Sequence, residues 1–147
     1  MSKEFSFFTD TATMTIFDLA AIKHRISDTS DWWSIEEDEI DEVNKGNIAF
    51  LGLGSDGSYV VKIQEEVDDE DGSLNLSFPT GQVFIGAGED TTGGELEPDG
   101  SDAIQGEILS FAPGNYSVKY KKIGDNIVLS FSVGSERLNF FKEIIRL

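Results

Sequence analysis

The side chains that most often perform acid–base or nucleophilic chemistry are scarce in this sequence. His24 is the only histidine, and there is no cysteine among the 147 residues. A cysteine–histidine pair, a thiolate nucleophile and a cysteine-bound metal are therefore excluded. A serine nucleophile would need a G-x-S-x-G turn, which the sequence lacks. His24 lies between Lys23 and Arg25, whose charges disfavour its protonated form. We therefore predict no catalytic residue.

Carboxylates are abundant and could serve as calcium ligands. An EF-hand loop requires acids at its first, third and fifth positions, Gly at the sixth and Glu at the twelfth. The run rich in Gly and acids, residues 88–106, fits around Gly100 but places Gly106 where the Glu is needed. The sequence thus predicts no metal site and no cofactor. An enzyme using carboxylate or metal chemistry near residues 88–106 is the alternative, because a long loop of this kind is often functional.

The acidic residues are spread unevenly along the chain. The formal net charge is −17, from 28 acidic and 11 basic residues. Residues 47–107 hold 14 of the acids and one base, whereas residues 108–147 have a net charge of +3. Such a field repels nucleic acid and anionic lipid surfaces and attracts basic proteins. We expect a basic protein partner, no nucleic acid and no membrane, with solubility alone as the other explanation for the acidity.

The secondary structure predicted for the N-terminal part of the chain begins with strands. Residues 5–17 fit one or two strands, since apolar side chains alternate with threonines between residues 12 and 16. Asp18 is placed to cap a short helix over residues 19–26.

A second helix is predicted over residues 35–45. Ser34 and Glu37 form a capping box at its start, and Gly46 is placed to end it. Six of the seven residues 36–42 are acidic. We therefore expect this helix to lie on the surface.

From residue 47 onward the apolar residues recur with the period of two that is typical of strands. Residues 48–53 and 59–63 are predicted to form a hairpin, and residues 116–120 and 127–133 a second one across Gly124. After Ser135 the pattern fits either a helix or a strand. The fold class is therefore mainly β (α+β). We expect one domain, residues 1–147, built as an antiparallel β-sandwich or open barrel, with two short helices near the N-terminus and a C-terminal helix as an option.

Several stretches resemble an uncharacterised family of small bacterial proteins. They are residues 8–19, 24–25, 31–33, 57–61, 81–89 and 113–118. The similarity spans most of the chain, and it implies no activity and no catalytic residues. The later half is also similar in style to β-rich immunity proteins that neutralise bacterial toxins.

These observations lead to a hypothesis of a protein-binding module, one form of which is an immunity protein against a basic toxin. A structural or assembly protein is a further alternative. Packing in the core is the favoured explanation for the adjacent Trp32 and Trp33, and the alternative is that one of them is an exposed anchor, because tryptophan is enriched at protein interfaces. The predicted partner-binding residues are Trp32, Trp33, Glu36, Glu37, Glu39, Glu42, Glu65, Asp68, Asp69 and Asp71.

A cytoplasmic location is expected. No apolar run approaches the roughly 20 residues that a membrane helix needs. The apolar stretch at residues 5–8 is too short for a signal peptide. The absence of cysteine fits the same compartment.

Overall fold

The structure is a computed structural model, and it describes residues 3–9, 12–18, 20, 36–87, 106–136, 138–143 and 145–146. Over these residues the chain forms ten strands and one helix, which confirms the prediction of a mainly β fold. The strands are β1 (Lys3–Thr9), β2 (Thr13–Asp18), β3 (Ala49–Gly52), β4 (Gly57–Ile63), β5 (Gly72–Phe78), β6 (Gln82–Ala87), β7 (Gly106–Ser110), β8 (Gly114–Ile123), β9 (Asn126–Val133) and β10 (Ile145–Arg146); the helix is α1 (Glu36–Asn44).

The strands form two sheets that share one hydrophobic core. Sheet A has the order β1-β4-β9-β8-β5, and sheet B has the order β10-β3-β2-β6-β7. Among the described strands the sheets do not close into a barrel, because β1 pairs only with β4 and β7 only with β6.

The two sheets differ in how their strands are buried. In β4, buried Tyr59, Val61 and Ile63 alternate with more exposed residues, so sheet A has one core face and one outer face. In β2, residues 14–18 are all buried, as expected for a strand that is covered on both faces. Thr15 lies among them, and its hydroxyl donates to the carbonyl of Ala49 at 3.0 Å.

The strand pairing corrects one prediction and confirms another. The predicted hairpin between residues 48–53 and 59–63 is wrong, because β3 pairs with β2 in sheet B while β4 pairs with β1 in sheet A. Alternation indicates which face of a strand is buried but not which strand lies beside it. The β8–β9 hairpin is confirmed, with Ile123 opposite Asn126 across a turn in which Gly124 has φ +59°.

The fold is not purely antiparallel, which is a second correction. β4 runs parallel to β9, with Val61 opposite Ile127, and β10 runs parallel to β3. The parallel pair in sheet A joins strands that are far apart in the sequence, which no local pattern reveals.

Helix α1 confirms the second of the two predicted helices. Gly46 ends it in the left-handed region at φ +76°. Its N–H donates to the carbonyl of Val43, and the N–H of Asn47 donates to the carbonyl of Glu42, which together form a Schellman motif. The first predicted helix, residues 19–26, lies outside the described residues except for Ala20, whose N–H donates to the Asp18 carboxylate at 2.9 Å. No helix in the described part of the chain is long and apolar enough to cross a membrane.

The described part of the C-terminal segment contains no helix. Residues 138–143, here called the strap, are irregular and run from the edge of β5 to the end of α1. Buried Asn139 accepts from the N–H of Asn75 at 2.7 Å and donates to the carbonyls of Asn75 and Val43, each at 2.8 Å. The backbone N–H of Asn139 also donates to the carbonyl of Asn44 at 2.8 Å, so hydrogen bonds to distant segments hold the strap in place. The alternative prediction, a strand after Ser135, holds only for the last described residues, which form the short strand β10.

Candidate protein-binding surface

An exposed acidic segment connects β4 to β5. We call residues 65–71 the acidic loop. Six of its seven residues are acidic, and the seventh, Val67, is only 6% exposed. Its exposed acids are Glu65, Glu66, Asp68, Asp69, Glu70 and Asp71. Burial of Val67 fixes the loop to the protein body while the acids on either side of it remain in contact with solvent.

Both ends of the acidic loop are held by backbone hydrogen bonds to sheet A. The N–H of Gln64 donates to the carbonyl of Leu129 at 2.9 Å. At the other end, the N–H of Asp71 donates to the carbonyl of Tyr120 at 2.8 Å, and the N–H of Lys122 donates to the Asp71 carboxylate at 2.9 Å. The loop ends are thus positioned by β8 and β9.

The middle of the loop has its own supports. The ammonium group of Lys121 donates to the carbonyl of Asp68 at 3.2 Å. Asp69 adopts φ +53°, a left-handed conformation that Asp tolerates better than most residues. A loop held in one shape loses little conformational entropy when a partner binds.

A depression lies between the acidic loop and the outer face of sheet A. Its volume is about 360 Å³. Apolar Val67 and Val128, basic Lys62 and Lys121, and acidic Glu66 and Asp68 all line it. Such a mixture of charges beside an apolar surface is suited to recognising protein side chains.

The chemistry of this surface is electrostatic attraction. Within the described ranges, no group of three or more His, Cys, Asp or Glu side chains could hold a metal ion. The acids of the loop are exposed to solvent, and together they form a concentrated patch of negative charge. The arrangement can therefore attract and bind cationic groups.

The acidic helix contributes less to the surface than its sequence indicates. Glu42, predicted to bind a partner, is fully buried, and its carboxylate accepts from the side-chain amide of Asn47 at 2.8 Å. Glu42 therefore does not belong to the exposed surface, because the chain turns after the helix and brings Asn47 back to its carboxylate. Asp41 is exposed and pairs with Lys45 at 2.9 Å.

The other predicted site residues have different outcomes. Glu65, Asp68, Asp69 and Asp71 lie together in the acidic loop and are exposed. Glu36, Glu37 and Glu39 lie in α1, but their side chains are outside what the structure describes, as are Trp32 and Trp33 altogether. Most of residues 88–106, the alternative enzyme region, also lies outside the described residues.

Sequence reasoning missed an aromatic hollow beside the strap. Tyr120, Phe140 and Phe141 line a space of about 510 Å³. Burial, and then the charge of Asp71, raise the pKa of the Tyr120 phenol above its ordinary value. The available signal was the pair of adjacent phenylalanines, of which Phe141 packs against the core while Phe140 is exposed.

Comparison with solved structures identifies two proteins of similar fold. One is described as crocagin biosynthetic gene J, with 13% sequence identity and a TM-score of 0.60 over 92% of this chain and 98% of that one. The other is ComJ from Bacillus subtilis, described as an inhibitor of the DNA degrading activity of NucA, with 12% identity and a TM-score of 0.50 over 90% of this chain and 96% of that one. At these identities the likeness concerns the fold. No curated protein sequence matches the chain.

The family resemblance found in the sequence is confirmed over the whole chain. A family model described as "Family of unknown function (DUF6386)" matches residues 1–147. The chain therefore belongs to the DUF6386 family.

Proposed function

We propose that this chain is a protein-binding inhibitor of a basic enzyme, and specifically an immunity protein that neutralises a nuclease toxin. The observation that carries the proposal is the acidic loop. Its six acids are exposed, while Val67 and the bonds from Gln64 and Asp71 to sheet A hold its backbone in place.

A surface of this kind fits an enzyme that acts on a polyanion. A nuclease must attract phosphates, so it carries Lys and Arg around its substrate cleft. Carboxylates on a fixed loop can bind to these same Lys and Arg side chains and so exclude the substrate. Opposite charges also accelerate the encounter of the two proteins.

The fold comparison supports a role of this class. ComJ, which shares the fold, is described as an inhibitor of the DNA degrading activity of NucA. The proposal extends that kind of role to this chain, with a protein partner, no enzymatic activity of its own and a cytoplasmic location.

The test purifies the proteins encoded by the genes adjacent to this one and takes forward the one that degrades DNA; if none of them does, the proposal of a neighbouring nuclease toxin is overturned. Degradation of linear DNA by that protein is measured with increasing amounts of the purified chain, at low and at moderate salt. We expect loss of DNA degradation at a one-to-one ratio, and association that slows as salt rises. The absence of a complex at low salt, or a complex that still degrades DNA, would overturn the proposal.

A pair of triple variants separates the acidic loop from the general acidity. The first is Glu66→Gln, Asp68→Asn and Glu70→Gln, all in the loop. The control removes three exposed acids elsewhere, through Asp56→Asn, Asp125→Asn and Glu136→Gln. We expect the loop variant to lower the association rate about ten-fold more than the control. Equal effects would show that only the net charge matters.

A further inference from the structure

Ile123 is an exposed apolar side chain close to the acidic loop. It is the last residue of β8, where the chain turns into β9, and it is 55% exposed. It lines the depression beside the loop together with Val67 and Val128, which are only 6% and 7% exposed. Ile123 and the depression therefore form an apolar surface that continues directly from the acidic loop.

The turn that carries Ile123 is fixed to the rest of sheet A. Ile123 pairs with Asn126 across the turn, and Gly124 adopts a left-handed conformation within it. The carbonyl of Asp125 accepts from the N–H of Val60 at 2.9 Å, which joins the turn to β4. An apolar side chain on a turn held in this way can be buried against a partner at little cost in backbone entropy.

The charges that line the depression balance one another, whereas the acidic loop beyond it is uniformly negative. The depression is lined by two basic and two acidic side chains, Lys62, Lys121, Glu66 and Asp68. Asp69 and Glu70 are exposed in the loop and lie outside this lining. An apolar centre without net charge, next to a charged margin, is the composition typical of protein–protein interfaces.

Position distinguishes Ile123 from the other exposed apolar side chains. Five large apolar side chains are exposed among the described residues, and Ile123 is the one that lines the depression. Val133, in the same hairpin, is 84% exposed and lies opposite Tyr116. Because Ile123 lies opposite Asn126, about seven residues of β9, or roughly 23 Å, separate the two side chains. Val133 is therefore a matched control at a distance from the loop.

We infer, on the basis of the proposed inhibitor role, that Ile123 and the depression form the apolar centre of the interface with the nuclease partner, with the acidic loop as its charged margin. The partner surface that fits is an apolar patch bordered by Lys and Arg. Its cations face Asp69 and Glu70, and its apolar side chains are buried against Ile123 and Val128. The apolar contact slows dissociation, whereas the charges accelerate association.

The test measures binding rates by surface plasmon resonance, with the DNA-degrading protein of the inhibition assay immobilised. Ile123→Ala should dissociate about ten-fold faster than the parent chain, with an association rate changed by less than about two-fold. Val133→Ala should leave both rates unchanged. The triple variant of the acidic loop should show the opposite pattern, with slower association as its main effect. The urea midpoint of Ile123→Ala should match that of the parent chain, because the residue is half-exposed.

Hydrogen exchange of the complex gives a second measurement. We expect slower exchange at residues 123–126 and in the acidic loop, and no change around Val133. A complex from which Ile123→Ala dissociates at the parent rate would overturn this inference and leave the inhibitor role intact. If the parent chain forms no complex, the inhibitor role fails and this inference fails with it. Self-association of the chain that Ile123→Ala abolishes would assign the apolar surface to a second copy and overturn the inference.

Discussion

Asp18 and Thr80, which lie 62 residues apart in the sequence, are joined at one buried carboxylate. The backbone N–H of Thr80 donates to the carboxylate of Asp18 at 2.9 Å, and the hydroxyl of Thr80 donates at 2.8 Å. The N–H of Gly81 donates to the same group at 2.7 Å. Asp18 is fully buried, so these donors replace the water that it loses on folding. They fix the end of β2 to the turn between β5 and β6.

Replacing this carboxylate should destabilise the fold. Asp18→Asn keeps the shape but places an amide NH₂ against groups that are themselves donors. We expect the free energy of unfolding to fall by about 2 kcal/mol or more, measured by urea denaturation. Asp56→Asn, at an exposed residue, is the control and should change it by less than about 0.5 kcal/mol. Equal effects of the two variants would show that the Asp18–Thr80 bonds add nothing to stability.

The end of α1 depends on the conformation of Gly46. At φ +76° a Cβ atom is strained, so Gly46→Ala should lower the free energy of unfolding by about 1 kcal/mol. Gly46→Asn should cost less, because Asn adopts the left-handed region more readily. Thermal or urea unfolding of the two variants would measure the difference. An alanine variant as stable as the parent would contradict the role given to the Schellman motif.

The strap should detach when Asn139 is shortened. Asn139→Ala leaves the N–H of Asn75 and the carbonyl of Val43 without the partners they have now. We expect a loss of about 2–3 kcal/mol, together with faster hydrogen exchange at the amide of Asn75. Leu138→Ala, at a half-exposed neighbour, is the control and should leave that amide protected. Unchanged exchange in the Asn139 variant would show that the strap is held by other contacts.

Tyr120 should make the protein less stable in alkali. Burial and the charge of Asp71 raise the pKa of the Tyr120 phenol, so the folded chain keeps its proton where the unfolded chain, with a pKa of about 10, has lost it. The contribution of Tyr120 is therefore constant below about pH 10, and stability falls as the pH rises above that value. Tyr120→Phe should reduce this fall. The measurement compares urea midpoints of both proteins at pH 8 and pH 10.5, and parallel losses would contradict the prediction.

The local features of the fold were accessible from the sequence, but the neighbours of each strand were not. Alternation at Tyr59, Val61 and Ile63 indicated a strand with one buried face, and the structure has it in β4. The same alternation could not place β4 beside β9, because the pairing depends on the whole sheet. The turn at Gly124 needed no such information, since a two-residue turn brings its own strands together.

The candidate site also combines features that are visible in the sequence with features that exist only in the folded chain. The charges of residues 65–71 are evident in the sequence, whereas their support by Tyr120 and Lys122 exists only after β8 has formed. In the sequence, Glu42 cannot be distinguished from its acidic neighbours. Its burial depends on a hydrogen bond from Asn47, which reaches Glu42 only because the chain turns at the end of the helix. Charge can be counted from a sequence, but solvent access cannot.

The parallel contact between β4 and β9 has a consequence for how fast the chain folds. Val60 lies opposite Asn126, so the centre of sheet A closes a very long stretch of chain before any bond there forms. The conformational entropy of this stretch is lost before the stabilising contacts between β4 and β9 can form. Proteins dominated by distant pairings therefore fold in milliseconds to seconds rather than microseconds. Among the described strands, β8 and β9 alone are joined by a two-residue turn, and this hairpin is available to nucleate the sheet. Until β4 docks beside it, β9 has an open edge onto which another copy of the chain could add a strand, so refolding yield should fall with protein concentration.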